Sequence, residues 1–169
     1  MKKFLTLSSG FVLFVSLFAA DTDKRHTEPA GGFSFCPPKD WVIREVAGMK
    51  YKFAFGPLAD GFAPNINVVD ESFTGSLQAY VKANLETLPK VFKGFKKLGQ
   101  SDFKTDSGMN GVKIIIQSEQ QGHAIRQSFF FFEGKADKKL VATCSALAEG
   151  GAKLDSAFEA SMKTFAIEK

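Results

Sequence analysis

Residues 128–137 read SFFFFEGKAD, with four consecutive phenylalanines. On a β-strand successive side chains point to opposite sides of the sheet. Phe129 and Phe131 therefore face one way, Phe130 and Phe132 the other. A strand with no polar side needs cover on both faces. Ile114–Ile116 imposes the same demand on its neighbour. The run is far too short to cross a membrane, which takes about 20 apolar residues as a helix.

Two segments can supply the cover. In LQAYVKANLETL, Leu77, Tyr80, Val81, Leu85 and Leu88 form one helical stripe. Ser76 stands ready as its N-cap, and Pro89 ends or kinks the helix. In LDSAFEASMKTF the stripe is Leu154, Phe158, Met162 and Phe165, and Ser156 with Glu159 has the spacing of a capping box. The pattern predicts an α+β fold: an α/β/α sandwich, with a twisted antiparallel sheet of about six to seven strands and a helix on each face.

The strands follow from alternation and turn residues. FSF at 33–35, WVIREV and KYKFAFG come first, and INVVDESF precedes the first helix. GPLADGFAPN, residues 56–65, has two glycines, two prolines and an aspartate, and reads as a loop. After that helix, QSDFKTD, VKIIIQSEQ, HAIRQSFFFF and LVATCSAL form a four-strand meander, with turns expected at Asn110-Gly111 and Gln121-Gly122. The adjacent carboxylates Asp70 and Glu71 point apart at a strand end and read as solvated charges.

The chain has 169 residues, enough for one domain. Residues 1–20 have the pattern of a secretory signal: Lys2 and Lys3, an apolar run from Phe11 to Phe18, then Ala19-Ala20. The competing reading is an uncleaved membrane anchor. Residues 21–31 read as a flexible polar lead-in, and residues 32–168 as a single domain. Signal removal leaves 20 basic against 18 acidic residues. That balance lacks the basic excess of a nucleic-acid binder. Cys36 and Cys144 are the two cysteines. In an exported protein an even count points to a disulfide. Closing a loop of 108 residues contributes roughly 4–5 kcal/mol in the chain-entropy model. The other reading is two unpaired thiols packed as small hydrophobes.

No catalytic set emerges. The two histidines, His26 and His123, fall in the polar lead-in and near a hairpin turn, and no GxSxG elbow exists. No cluster has metal-ligand spacing, and no glycine-rich phosphate loop follows a parallel strand. We expect no catalytic residue, no metal and no cofactor. Two stretches are candidate interaction surfaces. In ADGFAPN, Phe62 sits at a loop tip with Asp60, Pro64 and Asn65 around it, and either folds into the core or waits for a partner. In PKVFKGFKKLG, Lys93, Lys96 and Lys97 interleave with Phe95. This stretch is either a solvated loop whose phenylalanines cap the core, or a basic patch for anionic headgroups or an acidic protein.

FSFCPPKDW, with a short strand leading through prolines to a tryptophan, resembles the start of PsbP-like domains. GPLADGFAPNINVV followed by SLQAYVKANLETL resembles the loop, strand and helix of their bacterial DcrB-like relatives. The resemblance covers about residues 32–168. It implies an α/β/α sandwich and a role in docking onto larger assemblies, as in photosystem II extrinsic subunits, a Ran-binding protein and envelope proteins. DcrB-like proteins are often lipoproteins, whereas this chain has no cysteine at the end of its signal. The expected function is a non-enzymatic exported module of the cell envelope (periplasm) that docks on an envelope protein. The alternative is a carrier or sensor of a small apolar ligand in a helix–sheet pocket. Membrane contact is expected only through an uncleaved signal or the basic patch.

Overall fold

The computed structural model describes residues 24–168. The signal-like segment lies outside the described residues. Within them, no helix is long and apolar enough to cross a membrane.

Seven antiparallel strands form the main sheet, in the order β3-β4-β5-β9-β8-β7-β6. They are β3 (Val42–Arg44), β4 (Phe53–Phe55), β5 (Asn65–Ser72), β6 (Lys93–Lys104), β7 (Asn110–Gln120), β8 (His123–Glu133) and β9 (Lys138–Leu147). The last four are the expected meander. β5 joins it on the far side of β9, with Asn65 opposite Ser145. The chain therefore crosses one face of the sheet to get from β5 to β6. Helix α1 (Leu77–Val91) makes that crossing. Ser76 caps it by accepting a hydrogen bond from the Ala79 N–H at 3.2 Å. The helix continues through Pro89 for two more residues, because so near its end the missing donor forfeits only one bond.

The phenylalanine run lies in β8, and all four rings are buried. Phe129 and Phe131 pack with Val112, Ile114, Ile116 and Val141 under Leu77, Tyr80, Val81 and Leu88 of α1. Phe130 and Phe132 face the other side. There they meet Phe158 and Met162 of α3 (Asp155–Lys163) and the following Phe165, whose ring stacks on Phe132 at 4.7 Å. Two short helical turns, α2 (Ala148–Gly151) and Ala152–Leu154, lead into α3. The expected sandwich is present, with an addition: α3 shares its face with a second sheet. That sheet consists of β1 (His26–Glu28), β2 (Phe33–Phe35) and β10 (Ala166–Ile167), with β2 in the middle. Phe33 and Phe35 are fully buried there.

Several expectations change. The lead-in expected to be flexible contributes β1, whose three residues are too few for alternation to reveal. His26 meets the Phe35 ring edge-on at 5.7 Å. The Ser156/Glu159 capping box is absent, because helix α3 starts at Asp155, two residues earlier than a Ser156 cap requires, and has no side-chain cap. Glu159 instead pairs with Lys113 of β7 at 2.7 Å, and Asp155 takes Arg126 of β8 through two hydrogen bonds. Between β6 and β7 the positive φ belongs to Gly108, not to Asn110-Gly111. Gly111 lies inside β7, where a Cβ would stand 2.7 Å from the Phe131 carbonyl oxygen.

The disulfide is not formed. Cys36 and Cys144 are separate buried thiols. Cys36 follows β2 in the small sheet, where its backbone is held by Thr164 Oγ1 at 2.7 Å and Ser161 Oγ at 2.6 Å. Cys144 sits mid-strand in β9 between Ile66 and Ser128. Burial pushes the Cys144 thiol far above its ordinary range.

Asp70 is not a solvated charge either. Its side chain is 7% exposed and held between Lys50, at 2.7 Å, and Lys138. Burial alone would raise its pKa, but the hydrogen bonds from Lys138 and Lys50 together outweigh it and hold the carboxyl at about 2. Glu71 accepts the Tyr80 hydroxyl at 2.7 Å, tying β5 to α1.

Three predictions follow from this packing. Phe130→Ala and Phe131→Ala, which empty opposite faces, should each cost about 3–5 kcal/mol in urea unfolding. A small loss for either would mean that its face is open. Neither thiol should react with Ellman's reagent until the protein is unfolded, when both should; an intact mass two hydrogens below the reduced chain would contradict this. Finally, Asp70 is depressed from its ordinary value of about 3.9, so its contribution is complete above about pH 4 and fades as pH falls towards 2. The stability gap between wild type and Asp70→Asn should close over that window, and a constant gap would mean that Asp70 keeps an ordinary pKa.

Candidate functional site

The antiparallel registers bring both candidate stretches to one end of the main sheet. Asn65 opens β5 beside Ser145 near the end of β9, and Ile125 near the start of β8 pairs with Leu147. His123 pairs with Gln120 at the end of β7, and Lys93 at the start of β6 pairs with Glu119. The 56–65 segment and the basic segment thus share this end, four strands apart, or roughly 19 Å at ~4.8 Å per strand.

The 56–65 segment is more ordered in design than a loop. Ala59 and Phe62 exchange both backbone hydrogen bonds, at 3.1 and 3.0 Å. Asp60 and Gly61 between them both have positive φ, 51° and 76°. This is a two-residue hairpin of the type I′ kind, for which Asp-Gly is a favoured pair. The hairpin places Phe62 outside both core clusters, half-buried. Of the two expectations for Phe62, the core reading fails. Leu58 on the other arm is 74% exposed. Asp60, Phe62 and Pro64 line an apolar cavity of about 300 Å³ against Leu147 and Leu154. Asn65 folds back on its own loop, its amide donating to the Ala63 carbonyl at 3.2 Å.

The basic segment is not a loop. Lys93, Phe95, Lys96 and Lys97 belong to β6, the edge strand, which is interrupted by two register shifts in this stretch. Such irregularities and lysines are how natural sheets protect an edge from unwanted pairing. Phe92 and Phe95 pack against the α1-side cluster, as expected of core-capping rings. Lys93 pairs with Glu119 at 2.9 Å, which raises the lysine pKa and lowers that of the glutamate. Lys97 donates to Gln100 at 2.7 Å, and Lys96 is exposed.

A feature not foreseen lies between them. On the α1 face the central strands change from apolar to polar along one oblique line. Val69 gives way to Asn67 and Asn65 on β5, Val141 to Thr143 and Ser145 on β9, Phe129 to Gln127 on β8 before the strand returns to apolar at the buried Ile125, and Ile116 to Ser118 and Gln120 on β7. The change occurs where the α1-packed cluster ends. The polar side chains are linked across strands. Gln127 donates to Ser145 Oγ at 3.2 Å, and Gln120 donates to Gln127 Oε1 at 2.7 Å and to Ser118 Oγ at 3.1 Å. A cavity of about 230 Å³ opens above them, with Phe62 and the turn residue Gln121 (φ 50°) on its rim.

Nothing here forms a nucleophile–base pair, and no group of three metal-ligating side chains exists among the described residues. His123, on the rim of the polar cavity, has no hydrogen-bonded carboxylate among the described residues.

No family model and no curated protein matches this chain. Solved structures share its fold. LpqN of Mycobacterium tuberculosis, described as involved in cell envelope biogenesis, is 16% identical with a TM-score of 0.62, over 81% of this chain and 83% of its own. The cyanobacterial PsbP of Synechocystis sp. PCC 6803 is 12% identical with a TM-score of 0.57, over 94% and 98%. The Ran-binding protein Mog1p of Saccharomyces cerevisiae is 13% identical with a TM-score of 0.54, over 85% and 94%. The chain has the PsbP-like fold.

Proposed function

We propose that the chain is a non-enzymatic, exported binding module of the cell envelope that docks on a protein partner through the hairpin end of its main sheet. The observation that carries this reading is Leu58, 74% exposed on a tight hairpin beside an apolar cavity of about 300 Å³. An exposed leucine alone would mean little. An exposed leucine next to a ready apolar cavity, both fixed by a tight turn, is the form of an interaction hot spot. Lys93, Lys96 and Lys97 stand at the same end of the sheet, so the fitting partner offers an apolar anchor bordered by acidic side chains. The signal-like N-terminal sequence supports export. The description of LpqN as an envelope-biogenesis protein and of Mog1p as Ran-binding supports binding over catalysis, by fold analogy. The alternative of an apolar ligand between helix and sheet has less support, since the side chains under α1 and α3 pack closely against both faces.

A photo-crosslinking residue at position 58 should capture one partner in the native cell envelope. The same residue at Met49, exposed at another part of the molecule, should not. Leu58→Asp should weaken binding to that partner at least tenfold, with no change in melting temperature. Triple charge reversal at Lys93, Lys96 and Lys97 should slow association and reduce its salt dependence. Identical adducts from positions 49 and 58, or none from 58, would remove this surface from the proposal.

A further inference from the structure

The polar cavity on the α1 face is a second site, chemically unlike the docking surface. From its lining we infer that it binds a neutral, hydroxyl-rich ligand: a single sugar ring, free or at the end of a glycan.

Its polar groups are not an ordinary solvated face. Gln127 and Ser145 in its lining are each 6% exposed, and Ser118, which accepts a hydrogen bond from the lining residue Gln120, is 1% exposed. Amides and hydroxyls are costly to bury unless hydrogen-bonded. Here four neighbouring strands each place an amide or hydroxyl where α1 stops covering them, with the apolar Ile125 of β8 beside these groups in the lining. The Ser118–Gln120–Gln127–Ser145 chain holds the floor in a set geometry. Above it Asn67, Gln121 and His123 make no side-chain hydrogen bond among the described residues. The site thus combines a fixed polar floor with free polar groups on its walls.

The chemistry of the lining selects the ligand. Among the described residues no Asp, Glu, Lys or Arg lines the cavity, so an ionic ligand would meet no countercharge there. An apolar ligand would strip water from several amides and leave them unpaired. Side-chain amides present a donor and an acceptor side by side. Adjacent hydroxyls, each both donor and acceptor, match that pattern. Phe62 on the rim offers a ring against which the C–H face of a sugar can pack. The volume of about 230 Å³ is below the ~300–1,000 Å³ of drug-sized sites, which leaves room for one ring. A peptide is disfavoured because β5, β9, β8 and β7 are all internal strands here, with both backbone edges already paired.

The test is an NMR titration of the full chain, following its side-chain amide signals. The probes are glucose, galactose and N-acetylglucosamine, with tetra-alanine and glucose 6-phosphate as comparisons. At least one neutral sugar should produce saturable shifts confined to the amides of this cavity, with a dissociation constant in the millimolar range. Asn67→Leu, which breaks none of the internal hydrogen bonds, should weaken that binding at least tenfold. Gln121→Leu on the rim should act in the same direction, and Val91→Ala should leave it unchanged. The inference is overturned by the absence of saturable shifts with all three sugars, by sugar binding that survives both Asn67→Leu and Gln121→Leu, or by tighter binding of tetra-alanine or glucose 6-phosphate.

Discussion

Strand β8 has no polar side from Phe129 to Phe132, so the main sheet exists only if both of its faces are covered at once. The chain meets that demand with two different devices. One is α1, which the connection from β5 to β6 must lay across the sheet anyway. The other combines α3 with the small sheet, whose Phe33 and Phe35 join Phe158 and Phe165 over Phe130 and Phe132. The second device draws on both ends of the domain, since β1 and β2 come from its start and β10 from its close. Thr164 and Ser161 fasten the Cys36 backbone to the α3 end. Loss of either terminus would therefore uncover an aromatic face.

The same geometry decides where binding is feasible. A helix of 15 residues is about 22 Å long, so it cannot shield the whole face of a seven-stranded sheet. The uncovered corner has either to become polar or to be covered by something else. In this protein it becomes polar, and the 56–65 hairpin rises beside it. Phe62 borders both cavities, the apolar one on one side and the amide-lined one on the other. The hairpin end of the sheet is therefore where α1 leaves space, and it is also where the exposed Leu58 and the lysines of β6 gather.

Much of the fold was legible in the sequence because the relevant signals are local. The alternation in β7 to β9, the stripe Leu77–Leu88 and the cap at Ser76 each declare themselves within a dozen residues. The misread parts depend on partners distant in the chain. β1 is three residues long and is a strand only because Phe33–Phe35 lies opposite it. Lys93–Lys97 looks like a loop because its bulges break the alternation, and pairing with β7 makes it a strand. Glu159 has the spacing of a capping partner, but Lys113, 46 residues away, competes for it and wins.

The candidate site was legible only in part, for the same reason. Asp-Gly at 60–61 is a local hairpin signal inside a stretch that reads as a loop, and the structure places Phe62 on that hairpin. The amide cavity has no local motif. Gln127 in HAIRQSFFFF, Ser118 and Gln120 in IIIQSEQ, and Asn65 and Asn67 in NINVV each look like ordinary interruptions of a strand pattern. They become one feature only when the registers align them, Asn65 with Ser145 and Ser145 with Gln127. A sequence reader who had first fixed the strand order could have found it, by asking at which residue each strand's covered face stops being apolar. That those residues fall on a single line across four strands is the physical reason to treat them as one surface rather than as four separate tolerated substitutions.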